Sequence, residues 1–266
     1  MSLFKKKRGT DETIKNGANL ITVADPKGPV TEQFRTIRTN INFMAVDHDI
    51  KSVAFTSANI SEGKSTVAAN VAVTYAQAGR KVLLIDADLR RPTVHRTFNL
   101  SNHVGLSTVI SSTAKEVDLD DVVQDSGIAD LAILPAGPTP PNPSELIGSK
   151  RMQDFISLVE DHYDMVIIDL APVLEVSDTQ ELARRLDGII LIVRQGKTQK
   201  AAIKRAVEML NFSKAKVLGF IMNDISSDNA GYGYGYGYGY GYGYGYGYGY
   251  GEEDKKKKGF FSGRKK

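Results

Sequence analysis

The chain has 266 residues, of which 41% are hydrophobic, with no cysteine and a formal net charge of +3. This length suits one sizeable α/β domain with tails, and the lack of cysteine excludes disulfides and thiolate metal sites. The sequence shows no apolar run as long as a membrane span and no signal-peptide core. Basic runs at both ends, Lys5–Arg8 and Lys255–Lys258, are typical of solvated tails and give only weak support to nucleic-acid binding.

The first 30 residues are polar and are predicted to form an irregular, flexible arm. In the next stretch, residues 31–46, apolar residues recur at the spacing of a helix face: Phe34, Ile37, Ile41 and Met44. The polar face of this helix carries Glu32, Arg35 and Arg38, whose charges one helix cannot easily satisfy internally. That face therefore either pairs with a neighbouring subunit or stays solvated as a salt-bridged surface.

Residues 52–66, SVAFTSANISEGKST, have the strand, turn and helix context of a phosphate-binding loop. In such a loop the backbone N–H groups point at phosphates, Lys64 adds a positive charge and the Ser65 hydroxyl faces Mg²⁺. The predicted nucleotide-binding residues of the loop are Ser61, Glu62, Gly63, Lys64, Ser65 and Thr66. Ala58 replaces the first glycine of the pattern, so a chance Gly-Lys-Ser turn is the alternative.

Apolar strands and helix patterns alternate along the rest of the chain, which predicts an α/β fold. The sheet is expected to be mainly parallel, of P-loop NTPase type, with helices on both faces. Further strands are predicted at 81–85, 131–134, 165–169, within 186–193 and at 217–222, and helices at 105–112, 144–163 and 198–211.

Aspartates follow two of these strands. Asp86 and Asp88 come after the second strand, and Asp169 ends a later one in the pattern of a Walker B carboxylate. Because ligands bind at the carboxyl ends of parallel strands, we expect Lys64 and the three carboxylates to converge on one site. The alternative for the first pair is a helix N-cap, which would use one aspartate of the two. Asn223, at the end of the last strand, is predicted to contact adenine by fold analogy alone.

From Gly231 to Gly251 the chain repeats Gly-Tyr ten times. Ordering alternate glycines costs much entropy and buries no aliphatic face, which predicts a disordered tail. A sticky, self-associating low-complexity tail is the alternative. The predicted organisation is thus a flexible arm over residues 1–30, a globular domain over 31–228, and a disordered Gly-Tyr tail with a basic end over 229–266.

Taken together, these motifs resemble those of the bacterial tyrosine kinases (BY-kinases) of Gram-positive capsule and exopolysaccharide loci. The resemblance runs from about residue 31 to 223 and includes the tail. It rests on SANISEGKST, LLIDADLRRP, MVIIDLAPV, the ExxRxxRTNI stretch and the tyrosine cluster. Division-site and partitioning ATPases share this fold but lack the last two features, and Asn59 stands where they usually carry a signature lysine.

The resemblance implies a kinase that uses ATP and Mg²⁺ to phosphorylate its own tail in trans, within a ring of subunits. It assigns the phosphates to Lys64, the role of base toward the tyrosine hydroxyl to Asp86, and the metal site to Ser65, Asp88 and Asp169. Glu32, Arg35 and Arg38 match the family's oligomerisation motif. The implied phosphorylation sites are Tyr232, Tyr234, Tyr236, Tyr238, Tyr240, Tyr242, Tyr244, Tyr246, Tyr248 and Tyr250.

The resemblance further implies a separate transmembrane activator, a cognate phosphotyrosine phosphatase and a cytoplasmic chain recruited to the inner face of the membrane. The biological role would be control of capsular or exopolysaccharide synthesis and export. Two rival functions remain. One is a membrane-associated P-loop switch ATPase of the partitioning type, and the other is a scaffold that binds nucleotide without turnover. Phosphotyrosine in the tail would distinguish the kinase from both.

Overall fold

Seven strands assemble into one sheet in the computed structural model, which describes residues 16–44, 49–112 and 118–225. They are β1 Ser52–Ser57, β2 Val82–Asp86, β3 Gln124–Ile128, β4 Leu131–Leu134, β5 Met165–Asp169, β6 Gly188–Arg194 and β7 Val217–Asn223. Their order in the sheet is β3-β4-β2-β5-β1-β6-β7. All neighbouring pairs are parallel except β3 with β4, which is antiparallel.

Helices cover both faces of this sheet. They are α1 Ile21–Ala24, α2 Pro29–Phe43, α3 Lys64–Ala76, α4 Val94–Thr97, α5 Leu106–Ser111, α6 Pro143–Ile147, α7 Lys150–His162, α8 Asp178–Ala183 and α9 Lys200–Phe212. Neighbouring residues of one strand face opposite layers: Phe55 packs with α2 and α3, whereas Ala54 packs with α5, α7 and α9. The predicted α/β class, with a mainly parallel sheet and helices on both faces, is therefore confirmed.

The register of the central strands brings the carboxylates together. β5 lies between β2 and β1, so Asp169 is paired with Asp86 on one side and with Phe55 on the other. All residues of β1, β2 and β5 are buried because strands and helices enclose them on every side. Adjacent strands that end at one level place their terminal side chains at one edge of the sheet, the carboxyl edge.

The single helix predicted over residues 144–163 is wrong. The structure has two helices, α6 and α7, separated at Gly148 and Ser149. The Ser149 Oγ accepts the Met152 N–H at 3.2 Å, so Ser149 is the N-cap of the second helix. Sequence analysis also missed β3, an edge strand whose alternating half-buried and exposed residues lack an apolar run.

The irregular arm predicted for residues 1–30 is also wrong over its described part. Residues 16–30 include helix α1, and Thr22 is fully buried. The Asn70 Oδ1 on α3 accepts both the Thr22 N–H at 3.1 Å and the Thr22 hydroxyl at 2.9 Å. Two polar groups paired across 48 residues fix the segment, a signal that hydrophobic periodicity does not contain.

The first 15 residues and the tail predicted to be disordered lie outside the described residues. Within the described part, no helix has both the length and the apolar character needed to cross a membrane.

Candidate functional site at the carboxyl edge of the sheet

The loop between β1 and α3 forms the expected phosphate cradle. Gly63 is the N-cap of α3 and has a left-handed backbone with φ of 95°. A Cβ at this position would lie 2.0 Å from the Asn223 Nδ2, so glycine is needed for the close approach. Within the described residues, the first-turn N–H groups of Lys64, Ser65 and Thr66 have no acceptor. These free donors at a helix N-terminus suit a phosphate group.

The Lys64 ammonium lies among three oxygen-bearing side chains. Its Nζ is 2.9 Å from the Asp88 Oδ2, 3.2 Å from the Asp169 Oδ1 and 3.3 Å from the Ser65 Oγ. Lys64 is 9% exposed, Asp88 4% and Asp169 0%, so these charges have left water almost completely. A buried ion pair is retained at a cost in desolvation, which makes this cluster a candidate for function rather than for stability.

The ionisation of the cluster reflects one cation shared by several carboxylates. Burial alone would lower the pKa of Lys64, but the carboxylates of Asp169 and Asp88 outweigh it and raise that pKa. Burial and the neighbouring Asp169 raise the pKa of Asp86 to about 8. Burial likewise raises the pKa of Asp169, although the Lys64 charge opposes the shift. For Asp88 burial acts upward, but the ammonium wins and lowers the pKa below its usual value.

Asp86 accepts three backbone N–H groups of the following loop, whereas Asp88 also pairs with the Lys64 ammonium. The Oδ2 accepts the N–H groups of Thr93 at 2.9 Å and Val94 at 3.0 Å, and the Oδ1 accepts that of Asp88 at 3.2 Å. Thr93 is the N-cap of α4 and Val94 its first residue, so neither aspartate is the N-cap of this helix, although Asp86 accepts the N–H groups at its start. Asp88 faces the cavity described next, whereas Asp86 and Asp169 lie behind its wall.

A cavity of about 240 Å³ opens above the phosphate loop. Predicted residues line it: Ser61, Gly63, Lys64, Ser65, Thr66, Asp88 and Asn223. Sequence analysis missed the remaining lining residues, which are Ile60, Arg91, Thr93, Pro172, Arg194 and Asp224. Arg91 follows the Asp86–Asp88 motif directly and could have been found from that position. Arg194 and Asp224 gave no signal because they meet only once β6 and β7 pair.

The predicted nucleotide contacts Glu62 and Asn223 are partly used inside the protein. The buried Glu62 carboxylate accepts the Ala58 N–H at 3.0 Å and the Asn59 N–H at 3.3 Å, so it closes the loop on itself. The Asn223 Nδ2 donates to the Glu62 carbonyl at 2.9 Å. Ala58 stands where the usual pattern has glycine, and its side chain is fully buried in the hydrophobic core.

The donor set fits Mg²⁺ only in company with phosphate oxygens. Among the described residues no group of three or more His, Cys, Asp or Glu side chains could hold a metal ion. Mg²⁺ in nucleotide sites, however, is usually bound through one or two carboxylates together with substrate phosphates and water. Asp88, Asp169 and the Ser65 hydroxyl meet that requirement around Lys64.

The expected oligomerisation residues have partners within their own chain. Arg35 pairs with Glu32 on the same helix and donates to the Pro26 carbonyl at 2.9 Å. Arg38 donates to the Thr74 carbonyl in the last turn of α3, where a helix leaves carbonyls unpaired. Helix α2 does not satisfy these charges alone, since α3 and the preceding turn supply acceptors, but these acceptors belong to the same chain and do not require a neighbouring subunit. The ten predicted phosphorylation sites lie outside the described residues.

Comparison with known proteins separates the predicted functions. The family model of the AAA domain matches residues 50–212. Tyrosine-protein kinase YwqD of Bacillus subtilis (strain 168) is 50% identical over 205 residues, which are 77% of this chain and 85% of YwqD. Putative tyrosine-protein kinase CapB of Staphylococcus aureus is 41% identical over 208 residues, 78% of this chain and 90% of CapB.

The fold of the chain also matches solved structures. The crystal structure of the chimerical protein CapA2B2 matches with a TM-score of 0.73 and 37% identity, covering 81% of this chain and 98% of that one. The kinase domain of Escherichia coli tyrosine kinase ETK also matches, with a TM-score of 0.73 and 29% identity, covering 89% of this chain and 89% of that one. On this shared identity and architecture, the chain belongs to the bacterial tyrosine-protein kinases.

Proposed function

We propose that this kinase transfers the γ-phosphoryl group of ATP to tyrosines of its own C-terminal cluster, Tyr232 to Tyr250, in another copy of the chain. One observation carries the proposal. The Lys64 ammonium is buried between the Asp88 and Asp169 carboxylates, 2.9 and 3.2 Å away, at the free N-terminus of α3. A cation, free N–H donors and carboxylates at one place provide what phosphoryl transfer needs.

In this proposal the loop binds the nucleotide and Lys64 neutralises its phosphates. Loop contacts come from the backbone of Ser61, Glu62 and Gly63, and from the first-turn N–H groups of α3, up to Thr66. Asn223 faces the base, and its Oδ1 is the part of the amide that is left to contact it, since its Nδ2 donates to Glu62. Ser65, Asp88 and Asp169 would hold Mg²⁺, which supplies charge neutralisation when bound.

The tyrosine hydroxyl oxygen forms a bond to the γ-phosphorus, and the bond from that phosphorus to the bridging oxygen of ADP breaks. Asp86 takes the hydroxyl proton. Burial and Asp169 raise the pKa of Asp86 to about 8, so its ionised form, which gains population as the pH rises through that value, is a stronger proton acceptor than an exposed aspartate. Its three backbone N–H partners hold it fixed behind the cavity wall, two residues before Asp88, which lines the cavity.

The tail suits the role of substrate. Residues 231–251 follow β7, whose last residue, Asn223, lines the cavity. A flexible glycine-rich chain of this length has a root-mean-square span of roughly 25 Å, enough to reach a neighbouring subunit. Each phosphotyrosine adds about −1.5 to −2 charges, so phosphorylation would turn a neutral segment into a strongly anionic one.

The proposal places the kinase in a ring of identical subunits that meet through α2, with Glu32, Arg35 and Arg38 at the interface. Glu32 supports this because its side chain is 62% exposed although paired with Arg35. A transmembrane protein activates the kinase at the cytoplasmic face of the membrane, and a phosphotyrosine phosphatase reverses the reaction. The cycle controls capsular or exopolysaccharide synthesis and export. We assign no role in nucleic-acid binding.

The experiment is a phosphotyrosine assay with Mg-ATP on three proteins: the intact chain, the variant Lys64→Met and a chain truncated before Gly231. Each is assayed with and without the cytoplasmic segment of a candidate membrane activator. We expect phosphotyrosine only in the intact chain, with more of it when the activator segment is present. ATP hydrolysis without phosphotyrosine under all conditions would instead support the switch ATPase.

A further inference from the structure

Glu62 is a buried carboxylate without a cation. It is 4% exposed, and within the described residues it makes no ion pair. Hydrogen-bond donors compensate its charge instead. Three come from its own loop: the Ala58 N–H at 3.0 Å, the Asn59 N–H at 3.3 Å and the Asn59 Nδ2 at 3.1 Å. A buried charge of this kind is stable only while its donors stay in place.

The fourth donor comes from a distant part of the chain. The Thr198 hydroxyl, in the segment between β6 and α9, donates to the Glu62 Oε1 at 2.7 Å across 136 residues. The same hydroxyl oxygen accepts the Arg194 N–H at 2.8 Å, which fixes its orientation. In the described part of the chain, Thr198 is the only donor to this carboxylate from outside the loop.

A second hydrogen bond connects the end of β6 to the phosphate loop. The Arg194 Nη1 donates to the Ser61 carbonyl at 3.0 Å, and its Nε donates to the Asp224 Oδ2 at 3.0 Å. Ser61 has a φ of 66°, a conformation that non-glycine residues adopt at a cost. Ser61 and Glu62 are consecutive residues of the loop. Both accept hydrogen bonds from residues 194–198, at the end of β6 and just after it.

We propose that Thr198, assisted by Arg194, is a positioning residue that holds the phosphate loop in its nucleotide-binding shape. The loop carries a strained Ser61 and a left-handed Gly63, and both must be held for the N–H groups of α3 to face a phosphate. Thr198 acts through Glu62: its hydroxyl donates to the Glu62 carboxylate, which in turn accepts the Ala58 and Asn59 N–H groups. The inference rests on the proposed nucleotide site but concerns the loop before any nucleotide binds.

The test compares Thr198→Val, which keeps the shape of the side chain but removes the hydroxyl, with Thr198→Ser, which keeps the hydroxyl. The first readout is hydrogen exchange of the Ala58 and Asn59 amides in nucleotide-free protein. The second is the dissociation constant for ADP. For Thr198→Val we expect exchange and the dissociation constant to rise by about tenfold each, as for a lost hydrogen bond to a charged group. For Thr198→Ser we expect values close to those of the wild type.

A matched control lies at the other end of the same helix. The Ser213 hydroxyl donates to the Leu210 carbonyl at 2.8 Å and, within the described residues, makes no hydrogen bond to the phosphate loop. Ser213→Ala should change the melting temperature at most, leaving loop exchange and ADP affinity unaltered. If Thr198→Val behaves like this control, the hydroxyl stabilises α9 alone and the inference is overturned. The inference is also overturned if Thr198→Val matches the wild type in every readout.

A double-mutant cycle gives an independent check. Glu62→Gln removes the charge that Thr198 serves, so Glu62→Gln combined with Thr198→Val should be no worse than the more damaged single variant. Additive effects would contradict the inference. If Thr198→Val does not fold, the Glu62→Gln variant alone must still show faster exchange at Ala58 and Asn59. If the wild type binds no ADP, the proposed function fails, whereas the exchange measurement still decides the role of Thr198.

Discussion

The two ends of the parallel sheet both collect charged residues, but they use them differently. At the carboxyl edge, Lys64, Asp88 and Asp169 are buried and paired with one another. At the amino edge a larger polar cavity, about 570 Å³, is lined by exposed charges including Lys51 and Asp164. These amino-edge charges bind backbone groups: the Asp164 Oδ2 accepts the Lys81 N–H at 2.8 Å, and the Lys51 Nζ donates to the Glu160 carbonyl at 3.1 Å.

Under the proposed function, the active site is therefore marked by the burial of its charges and not by cavity volume or the number of charges. Exposed charges that cap strand ends contribute modestly to stability and cost little to keep. Buried carboxylates that share one ammonium raise each other's pKa and are costly to desolvate. A chain retains such a cluster where it serves binding or chemistry. Matched substitutions at the two edges test this difference.

The largest expected effect is that of Lys64→Met. Without the ammonium, the phosphates lose their cation and phosphotyrosine formation should fall by about 10²–10³-fold. Lys51→Met removes a lysine from the amino edge and should leave the rate within about twofold, because the Lys51 ammonium donates to a backbone carbonyl away from the proposed site. Initial rates of phosphotyrosine formation measure both. Equal losses in the two variants would contradict the functional contrast between the edges.

The next effect is that of Asp169→Asn, which separates activity from stability. We expect about a hundredfold loss of activity because one proposed Mg²⁺ ligand loses its charge. The melting temperature of nucleotide-free protein should stay the same or rise, since burial raises the pKa of Asp169 and thus disfavours its ionised form. Asp164→Asn at the amino edge keeps an oxygen for the Lys81 N–H and should alter neither property. A large loss of stability in Asp169→Asn would show that the cluster serves folding.

Gly63→Ala should have an intermediate effect. The new Cβ would lie 2.0 Å from the Asn223 Nδ2 on a backbone with φ of 95°, so the loop must move. A displacement of about 1 Å can lower the reaction rate by up to about 10²-fold. Because the displaced loop also binds ATP in the proposed function, we expect the KM for ATP to rise by about tenfold or more. Gly79→Ala is the control, because Gly79 has a φ of 76° but nothing within 4 Å of a Cβ. It should cost about 1 kcal/mol of stability and leave the KM unchanged.

The smallest effect concerns helix α2. Arg38→Met removes the donor to the Thr74 carbonyl at the end of α3 and should lower the unfolding free energy by about 0.5–1 kcal/mol. Glu32→Gln weakens only an exposed ion pair and should leave stability unchanged. If α2 forms the ring interface, Glu32→Gln should still shift sedimentation toward smaller species. Urea unfolding and sedimentation velocity of both variants separate the internal role of Arg38 from the proposed contact between subunits.

The convergence of Lys64, Asp88 and Asp169 could be predicted from the sequence because these residues follow strand ends. Continuous apolar strands that end in Asp86 and Asp169 define a parallel sheet, and a parallel sheet places those ends together. The break at Ser149 was missed since a single N-cap hydrogen bond decides it. The edge strand β3 was missed since it lacks an apolar run.

Roles that depend on distant pairing were not predictable from local pattern. The sequence predicts that Glu62 belongs to a nucleotide-binding loop, but its carboxylate accepts a hydrogen bond from Thr198, 136 residues away. Arg38 reads as an intersubunit residue, yet α3 provides its acceptor. Asp86 reads as a residue facing the cavity, yet the start of α4 binds its carboxylate. In each case the local sequence identifies a charged residue, but the interaction of that charge depends on a partner that only the folded chain brings near.

Phosphoryl transfer between copies of the chain is tested by mixing two incomplete proteins. The first carries Lys64→Met and keeps its tail, and the second keeps Lys64 but is truncated before Gly231. Incubated together with Mg-ATP, they should yield phosphotyrosine on the tail of the Lys64→Met protein, located by mass spectrometry between Tyr232 and Tyr250, while neither protein alone yields any. Phosphotyrosine that never appears in the mixture, although the intact chain becomes phosphorylated, would contradict transfer between copies. Phosphotyrosine on the Lys64→Met protein alone would contradict the assignment of the site itself.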